Sequence, residues 1–200
     1  MLEYSIEQSL LDEGYKFVCG VDEAGRGPLC GPVVAAACIL PIGFYIEGLN
    51  DSKKLSPKKR KEVFNKIKEN AIAYCIAEAS VEEIDELNIL EADMLAMRRA
   101  VEGLQIKADY AIIDGNISRG FPIPTMTVIK GDATSPSIAA ASILAKVTRD
   151  EMCEQMDKQY PQYGIAKHKG YGTKQHMQAL REFGPSPIHR KKFIRFLDEQ

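Results

Sequence analysis

Several features that would place a chain in a membrane or outside the cell are missing from this sequence. No apolar run reaches the roughly 18 residues that a membrane-spanning helix requires. The first residues, MLEYSIEQSLLDEGYKF, contain acids and lack the basic stretch followed by an apolar one that is typical of a secretory signal. There is also no internal repeat or low-complexity segment, which excludes a repeat architecture. We therefore expect a cytoplasmic protein with no membrane segment.

Cysteine is scarce, and its pattern favours no cross-link. The five cysteines are odd in number and show no C-x-x-C spacing. Because a free cysteine packs as a small hydrophobic residue, we expect buried reduced thiols rather than disulfides or a zinc site. The three histidines also lack ligand spacing, and we assign none of them to a metal. The residues concerned are Cys19, Cys30, Cys38, Cys75, Cys153, His168, His176 and His189.

The net charge is small, but the charges are unevenly distributed. A formal net charge of −2 argues by itself against a nucleic-acid-binding protein. Three basic segments favour a nucleic-acid-binding protein, provided that they lie on one face and can follow a phosphate backbone. The first of them opposes the macrodipole of the helix that it begins, although a solubilising basic surface remains the alternative. The segments contain Lys53, Lys54, Lys58, Lys59, Arg60 and Lys61; Lys167, Lys169 and Lys174; and Arg190, Lys191, Lys192 and Arg195.

The order of the predicted elements indicates an α/β domain with a mixed sheet. A hydrophobic fraction of 45% and a charged fraction of 27% in 200 residues fit one well-filled core. We predict a catalytic domain over 1–160 and a helical segment over 161–200 that packs on it. Strands are predicted at 16–23, 31–40, 71–79, 109–115 and 125–132. Helices are predicted at 57–70, at 81–103 as one kinked or two short helices, at 137–159, after Thr173, and from Ser186-Pro187 to about 197.

Acidic residues stand at the ends of three predicted strands. They are Asp22 and Glu23, Asp114 and Asp132. Ligand sites of α/β sheets lie outside such strand ends, so we expect these carboxylates to converge. Clustered carboxylates repel one another unless a cation lies between them, and Mg²⁺ or Mn²⁺ suits oxygen ligands. For any single acid, a helix cap, a turn or an ion pair is the alternative. Since neighbours on a strand point to opposite faces, we place Asp22 and Glu23 where Gly25 breaks the strand.

A glycine-flanked arginine and a loop tyrosine are candidate substrate-binding residues. Gly25 and Gly27 flank Arg26, and glycine permits close approach of backbone N–H groups to a ligand. Beside an acidic metal site, this loop could hold the 2′-hydroxyl that distinguishes RNA from DNA. An ordinary turn between two strands is the alternative. Tyr171 lies between two glycines in a basic loop, where it either stacks on a sugar or base or packs its own loop onto the domain.

Taken together, these motifs resemble those of bacterial ribonuclease H type 2, or ribonuclease HII. The resemblance extends from about Val18 to Phe193. The matching segments are, in order, GVDEAGRGPLCGPVVAAA, LNDSKKLS, LNILEADMLAM, IIDGN, VIKGDATSPSIAAASILAKVTRD, YPQYGIAKHKGYGTKQH and GPSPIHRKKF. The chain departs from the family pattern at Cys30, where small residues such as alanine are common, and at Glu91 and Asp93, which add acid to a helical segment. None of these departures touches the four carboxylates.

The resemblance implies a fold, a site and an activity. The fold is the ribonuclease H-like fold, a five-stranded mixed sheet flanked by helices and followed by a helical C-terminal segment. The implied catalytic metal ligands are Asp22, Glu23, Asp114 and Asp132, which would hold Mn²⁺ or Mg²⁺, two ions when substrate is bound. The residues that match the family's recognition of a ribonucleotide followed by a deoxynucleotide are Gly25, Arg26, Gly27 and Tyr171. Lys53 and Lys54 match a basic motif near the substrate phosphates.

The implied activity is that of a metal-dependent endoribonuclease. Its expected substrates are RNA–DNA hybrids and duplex DNA that contains single ribonucleotides, cut on the 5′ side of the ribonucleotide to leave 3′-hydroxyl and 5′-phosphate ends. Such an enzyme would remove ribonucleotides and RNA primers from DNA, and we expect it to be a monomer. Two other classes are weighed against it. A non-catalytic nucleic-acid-binding protein would not need four acids at strand ends, and a glycosidase would need neither the lysine cluster nor the glycine-flanked arginine.

Overall fold

The computed structural model describes residues 2–49 and 55–198, so Lys53 and Lys54 lie outside the described residues. The strands are β1 (Val18–Ala24), β2 (Val33–Ile39), β3 (Ala73–Ala79), β4 (Tyr110–Asp114) and β5 (Thr125–Val128). The helices are α1 (Ser5–Asp12), α2 (Pro57–Asn70), α3 (Val81–Leu87), α4 (Ile89–Glu102), α5 (Pro136–Gln159), α6 (Ile165–His168) and α7 (Lys174–Phe183). Short 3₁₀ turns occupy Gly131–Ala133, Pro161–Tyr163, Lys191–Phe193 and Arg195–Leu197.

The five strands form one mixed sheet in the order β3-β2-β1-β4-β5. Strand β1 pairs antiparallel with β2 and parallel with β4, so it lies at the centre of the sheet. The outer pairs are antiparallel for β2 and β3 and parallel for β4 and β5. The predicted α/β class, the five-stranded mixed sheet and the antiparallel early strands are therefore confirmed.

Alternating residues of the strands supply two cores, one on each face of the sheet. On β2, the odd-numbered residues pack with the apolar face of α4, and the even-numbered residues pack with α2 and α5. This is the period-two alternation of a strand that is covered on both sides. All five cysteines are free thiols, and only Cys75 is partly exposed, as expected from their apolar neighbours.

Helix α5 lies directly on the central strand. A Cβ placed on Gly20 of β1 would come within 2.1 Å of the carbonyl carbon of Ser137, so only glycine allows this approach. The buried side chains near the start of α5 include the small residues Ala139, Ala140 and Ala141, which are fully buried. The alanine-rich sequence predicted this close packing, and the structure confirms it.

Helix α1 was not predicted from the sequence, and it secures the start of α5. Glu7 of α1 is buried, and one of its carboxylate oxygens accepts hydrogen bonds from Ser135 Oγ at 2.6 Å and from the Ser137 N–H at 3.1 Å. The Ser135 side chain also caps α5 by accepting from Ile138 N–H. A long-range contact of this kind leaves no local signal in an eight-residue helix.

Two predicted elements have different limits in the structure. The predicted strand over 125–132 ends at Val128, and Asp132 lies in the following 3₁₀ turn. The helical pattern over 81–103 is divided into α3 and α4 at Asn88, which has a φ of 82° and whose side chain caps α4. Of the two arrangements predicted for this segment, the structure has two short helices.

The predicted helix from Ser186-Pro187 to about 197 is wrong. Residues 187 and 188 lie in a turn, and His189 then forms a bridge with Cys30 in the segment after β1: Gly31 N–H donates to Ile188 O at 2.8 Å and Arg190 N–H donates to Leu29 O at 2.9 Å. Beyond them the chain forms only the two 3₁₀ turns. The C-terminal residues Tyr163, Ile165 and Leu180 share a buried cluster with Cys30 and Cys153. The division of the chain at 160 stays a prediction.

None of the helices in residues 2–49 and 55–198 combines sufficient length with sufficient apolar character to cross a membrane.

We expect Gly20→Ala to destabilise the protein by about 3 kcal/mol or more, because the added methyl group overlaps the α5 backbone, which cannot move as a flexible side chain can. Thermal or urea unfolding measures the change. The control is Gly172→Ala, where a Cβ would meet only the Leu29 side chain at 3.3 Å. Equal stability losses for the two variants would contradict the direct contact of α5 with β1.

Candidate active site

One cavity collects the acidic residues from three separate parts of the sheet. Its volume is about 450 Å³, and it opens at the end of the central strands. Asp22 and Glu23 reach it from β1, Asp114 from the end of β4, and Asp132 from the 3₁₀ turn that follows β5. The structure therefore brings together all four carboxylates that the sequence selected. Asp132 arrives from a turn rather than from a strand end, which corrects the predicted position.

Asp22 and Glu23 lie in the last residues of the strand, which ends at Ala24 and breaks at Gly25, where φ is +106°, as predicted. Both are paired with β2, and β1 continues to Ala24. Asp22 is 6% exposed and accepts a hydrogen bond from the Glu23 N–H at 2.8 Å. Ser142 of α5 also hydrogen-bonds the Asp22 side chain. The two carboxylates share the cavity even though they are neighbours on a strand, because both stand close to its end.

Asp114 is held by the turn that carries Asp132. Its Oδ1 accepts a hydrogen bond from the Gly131 N–H at 2.6 Å. A Cβ on Gly131 would lie 2.4 Å from Ile138 Cδ1 and 3.2 Å from the same Asp114 oxygen, so a larger residue would require both side chains to shift. The turn after β5 thus holds Asp114 through a backbone N–H and also carries Asp132, whose side chain lines the cavity.

The electrostatics of the cavity favour a cation. Burial raises the pKa of Asp22 well above its usual range, and the charge of Glu23 raises it further. Burial also raises the pKa of Glu23, against the opposing effect of Arg26. A hard divalent cation would relieve this destabilisation, since the side chains offer only oxygen ligands. The carboxylates therefore fit Mg²⁺ or Mn²⁺.

Asp93 is an acidic residue next to the cavity that sequence analysis recorded only as a departure from the family pattern. It is fully buried on α4, and neither of its carboxylate oxygens has a hydrogen-bond partner among the described residues. Burial, and then the charge of Glu23, raises the pKa of Asp93 to about 8. Arg26 lies between the two acids, with Nε 3.4 Å from Asp93 and Nη1 3.6 Å from Glu23. The arginine of the glycine-flanked loop is thus drawn towards the acidic cluster.

The backbone of the loop between β1 and β2 requires its first glycine. Gly25 has a φ of +106°, and a Cβ there would lie 2.1 Å from Nε of the buried Arg149. Arg149 donates to the carbonyl oxygens of Cys30, Pro32 and Lys169. Any other residue at position 25 would be strained and would also displace this arginine.

Tyr171 lies opposite the second glycine of the same loop. It is 48% exposed and lines the cavity. A Cβ on Gly27 would be 3.3 Å from the Tyr171 ring. The ring and the loop backbone therefore face each other beside the carboxylates, and Gly25, Arg26, Gly27 and Tyr171 all line the same cavity.

Only some residues of the predicted basic segments lie at the cavity, and others form ion pairs or are buried. Arg60 of α2 lines the cavity, as does Lys146 of α5, which also forms an ion pair with Asp150 at 2.7 Å. Lys61 instead contacts Glu151 and so links α2 to α5. Arg190 is fully buried, which excludes it from the C-terminal phosphate-binding segment to which the sequence assigned it. The sequence left the role of Lys146 open, and the fold places it at the cavity.

The histidines form a chain of hydrogen bonds behind Tyr171. The Ser186 N–H donates to His189 Nδ1 at 3.1 Å, which leaves the proton of that ring on Nε2. His189 Nε2 can then donate to His176 Nε2 at 3.1 Å, and His176 Nδ1 donates to the Tyr171 carbonyl at 3.1 Å. Cys30 brings a third ligand-type atom within 4.8 Å of the two rings. Every nitrogen of the two rings has a protein partner, so these contacts support the Tyr171 loop.

We expect acid to weaken this chain of histidines. Burial, and then the neighbouring His176, lowers the pKa of His189 from 6.5 to about 4. The unfolded chain therefore binds a proton in a pH range where the folded protein does not, and stability falls as the pH decreases from 6.5 to 4. The contribution of His189 is at most about 3 kcal/mol.

The measurement is the free energy of unfolding from pH 8 to pH 4 for the wild type and for His189→Gln, which keeps a polar group but does not titrate. The difference in stability between the two proteins should narrow as the pH falls. Parallel curves over the whole range would show that His189 is not buried in its neutral form.

Comparison with known proteins agrees with this geometry. Residues 19–196 match the family model of ribonuclease HII. A ribonuclease HII of Desulfitobacterium hafniense is 56% identical over 187 residues, which cover 94% of this chain and 72% of that protein. A ribonuclease HII of Burkholderia thailandensis is 58% identical over 178 residues, or 89% of this chain and 83% of that one. The crystal structure of the ribonuclease H2 from Pyrococcus horikoshii OT3 is similar with a TM-score of 0.75 at 28% identity, covering 92% and 98% of the two chains.

The family match covers almost the whole chain, and the relatives share more than half of its residues. The sheet and its flanking helices are those of ribonuclease H-type enzymes. The chain therefore belongs to the ribonuclease HII family and is a ribonuclease H, an endonuclease that cleaves the RNA strand of RNA–DNA hybrids.

Proposed function

We propose that this enzyme also cuts duplex DNA on the 5′ side of a single embedded ribonucleotide and leaves 3′-hydroxyl and 5′-phosphate ends. The observation that carries the proposal is the shared cavity, in which a cluster of carboxylates faces a glycine loop and a half-exposed tyrosine. The first group suits hydrolysis of a phosphodiester, and the second suits recognition of a sugar. The same activity would remove RNA primers.

The proposed catalytic residues are the metal ligands Asp22, Glu23, Asp114 and Asp132. Their oxygens would hold Mg²⁺ or Mn²⁺, two ions when substrate is bound, and such ions supply activation of water and stabilisation of the leaving oxygen. The protein contributes the position of each ligand. Ser142 and the Glu23 N–H orient Asp22, and the Gly131 N–H orients Asp114.

Recognition of the ribonucleotide is assigned to Gly25, Arg26, Gly27 and Tyr171. Metal ions bind phosphates that RNA and DNA share, so discrimination requires contacts to the 2′-hydroxyl. The loop backbone can approach that hydroxyl because no Cβ intervenes, and the Tyr171 ring lies only 3.3 Å from where a Cβ of Gly27 would be. A sugar at the RNA-to-DNA step would pack on the exposed part of the Tyr171 ring, beside the loop.

The positive groups around the cavity would hold the phosphates of the duplex. Arg60 and Lys146 approach it from α2 and α5. Lys53 and Lys54, which precede α2 in the sequence, are proposed to extend this contact. We further propose that the enzyme acts as a monomer in the cytoplasm, with the chain divided into a catalytic domain over 1–160 and a C-terminal segment over 161–200 that supports the tyrosine loop.

We expect Asp114→Asn to fold normally and to lose nearly all cleavage, because an amide is a weaker, neutral ligand for a divalent cation. The measurement is the rate of cleavage of a labelled duplex that contains one ribonucleotide, with Mg²⁺, with Mn²⁺ and with EDTA. The control is Glu91→Gln, which removes an acid that pairs with Arg119 on the surface. Wild-type rates for Asp114→Asn would contradict the metal-ligand assignment.

We expect Tyr171→Ala to reduce cleavage at a single ribonucleotide more than cleavage of a long RNA strand, because a long strand offers other scissile positions. The rate ratio on the two substrates is compared with that of Tyr45→Ala, which also removes an exposed tyrosine but lies outside the cavity. An unchanged ratio would contradict the role of Tyr171. Mapping of the ends completes the test, since a 2′,3′-cyclic phosphate would mean attack by the 2′-hydroxyl of the substrate instead of water.

A further inference from the structure

Arg190 is a fully buried arginine whose guanidinium lies beneath the glycine loop. It follows the single bridge residue through which the C-terminal segment pairs with residues 29–31. All five of its N–H groups donate to backbone carbonyls of a single stretch of chain. The acceptors are Gly25 O at 2.7 Å, Arg26 O at 3.0 Å, Pro28 O at 2.8 Å, Gly31 O at 2.9 Å and Pro32 O at 3.2 Å.

Arg190 is buried with carbonyl oxygens as partners instead of a carboxylate. Among residues 2–49 and 55–198, none of the ion pairs includes Arg190, and burial lowers its pKa to about 10. Burying a charge without a carboxylate is costly, and an apolar side chain would avoid that cost but would leave the five loop carbonyls without this donor. What the guanidinium offers is a rigid, planar set of donors that can fix several carbonyls at once.

The anchored carbonyls determine where the next N–H groups point. In a trans peptide, the C=O of one residue and the N–H of the following residue point in opposite directions, and the structure contains no cis bond in its described ranges. With the Gly25 and Arg26 carbonyls turned inwards to Arg190, the N–H groups of Arg26 and Gly27 are turned away from it. These two residues are exposed and line the cavity.

Those two N–H groups are available to a ligand. Within the described part of the chain, neither of them donates a hydrogen bond to another backbone oxygen, whereas the Leu29 N–H of the same loop donates to Gly170 O. Two adjacent N–H groups that point into a cavity can hold one oxygen atom between them.

We propose that Arg190 is a positioning residue that determines specificity for the ribonucleotide. By fixing the carbonyls of Gly25 and Arg26, it aims the N–H groups of Arg26 and Gly27 at the oxygen of the ribose 2′-hydroxyl. The inference rests on the proposed function of this cavity. It assigns to a buried residue of the C-terminal segment the control of a loop more than 160 positions earlier in the chain.

The test compares the affinity for duplex DNA that contains one ribonucleotide with the affinity for the same duplex without it. The variants are Arg190→Lys, which keeps the charge but has too few donors in the wrong geometry, and Arg190→Ala. We expect each to lower the preference for the ribonucleotide about tenfold, the effect of losing roughly one well-placed hydrogen bond. Affinity for the all-DNA duplex should stay within about twofold, because its phosphate contacts are unaffected. Guanidinium ion at low concentration should restore the preference of Arg190→Ala.

The matched control is Tyr163→Phe. Tyr163 is 2% exposed in the same C-terminal cluster, and its hydroxyl donates to Gly184 O, away from the glycine loop. This variant should be less stable but should keep the wild-type preference. If Tyr163→Phe loses the preference as Arg190→Lys does, the effect is one of general stability and the inference is overturned.

A second measurement uses the wild-type protein and so does not depend on whether the variants fold. Amide resonances of Arg26 and Gly27 should shift on addition of the ribonucleotide-containing duplex and not on addition of the all-DNA duplex. The absence of this difference, or an unchanged preference in a folded Arg190→Lys protein, would overturn the role of Arg190. If the wild type shows no preference for the ribonucleotide at all, both the proposed specificity and the inference fail.

Discussion

The arrangement of the active site depends on the direct contact between helix α5 and the central strand β1. The absence of a side chain at Gly20 lets the helix backbone lie against the strand. Ser142 of the helix consequently reaches Asp22 of the strand, and Lys146 faces the same cavity. Interiors are close-packed, so a displacement of the helix by even one methyl group would be transmitted to these contacts. Glu7 fixes the start of the helix and thereby its position along the strand.

The distribution of buried charge is the second constraint on the site. The acids at the end of β1 lie close together in a desolvated place, which raises the pKa values of Asp22 and Glu23. The two buried arginines nearby, Arg149 and Arg190, bind carbonyl oxygens instead of neutralising these acids. The carboxylates therefore keep their capacity for cations, while the arginines shape the backbone of the loop.

Elements with strong local patterns were predicted well, and elements that depend on distant partners were not. The five strands and the alanine-rich helix follow from apolar periodicity and from Ser-Pro start signals. The pattern that predicted a helix over 186–197 did not reveal that Arg190 and its neighbours would pair with residues 29–31. Helix α1 was missed for the same reason, since its buried Glu7 has partners more than 120 positions away. Asp132 was placed on a strand because the local sequence does not show where β5 ends.

The sequence by itself determined the class of fold, the four carboxylates and the glycine-flanked arginine, because each of these is written in a short motif. Only the tertiary structure decided how they are combined. It placed Asp93 next to Arg26 and brought the histidines behind Tyr171. It also buried Arg190 under the glycine loop, although its charge had suggested an exposed position. The physical reason is that hydrogen bonds and burial depend on distances in space. No local sequence pattern shows that Gly25 and Arg190 will be in contact, because only the folded chain brings them together.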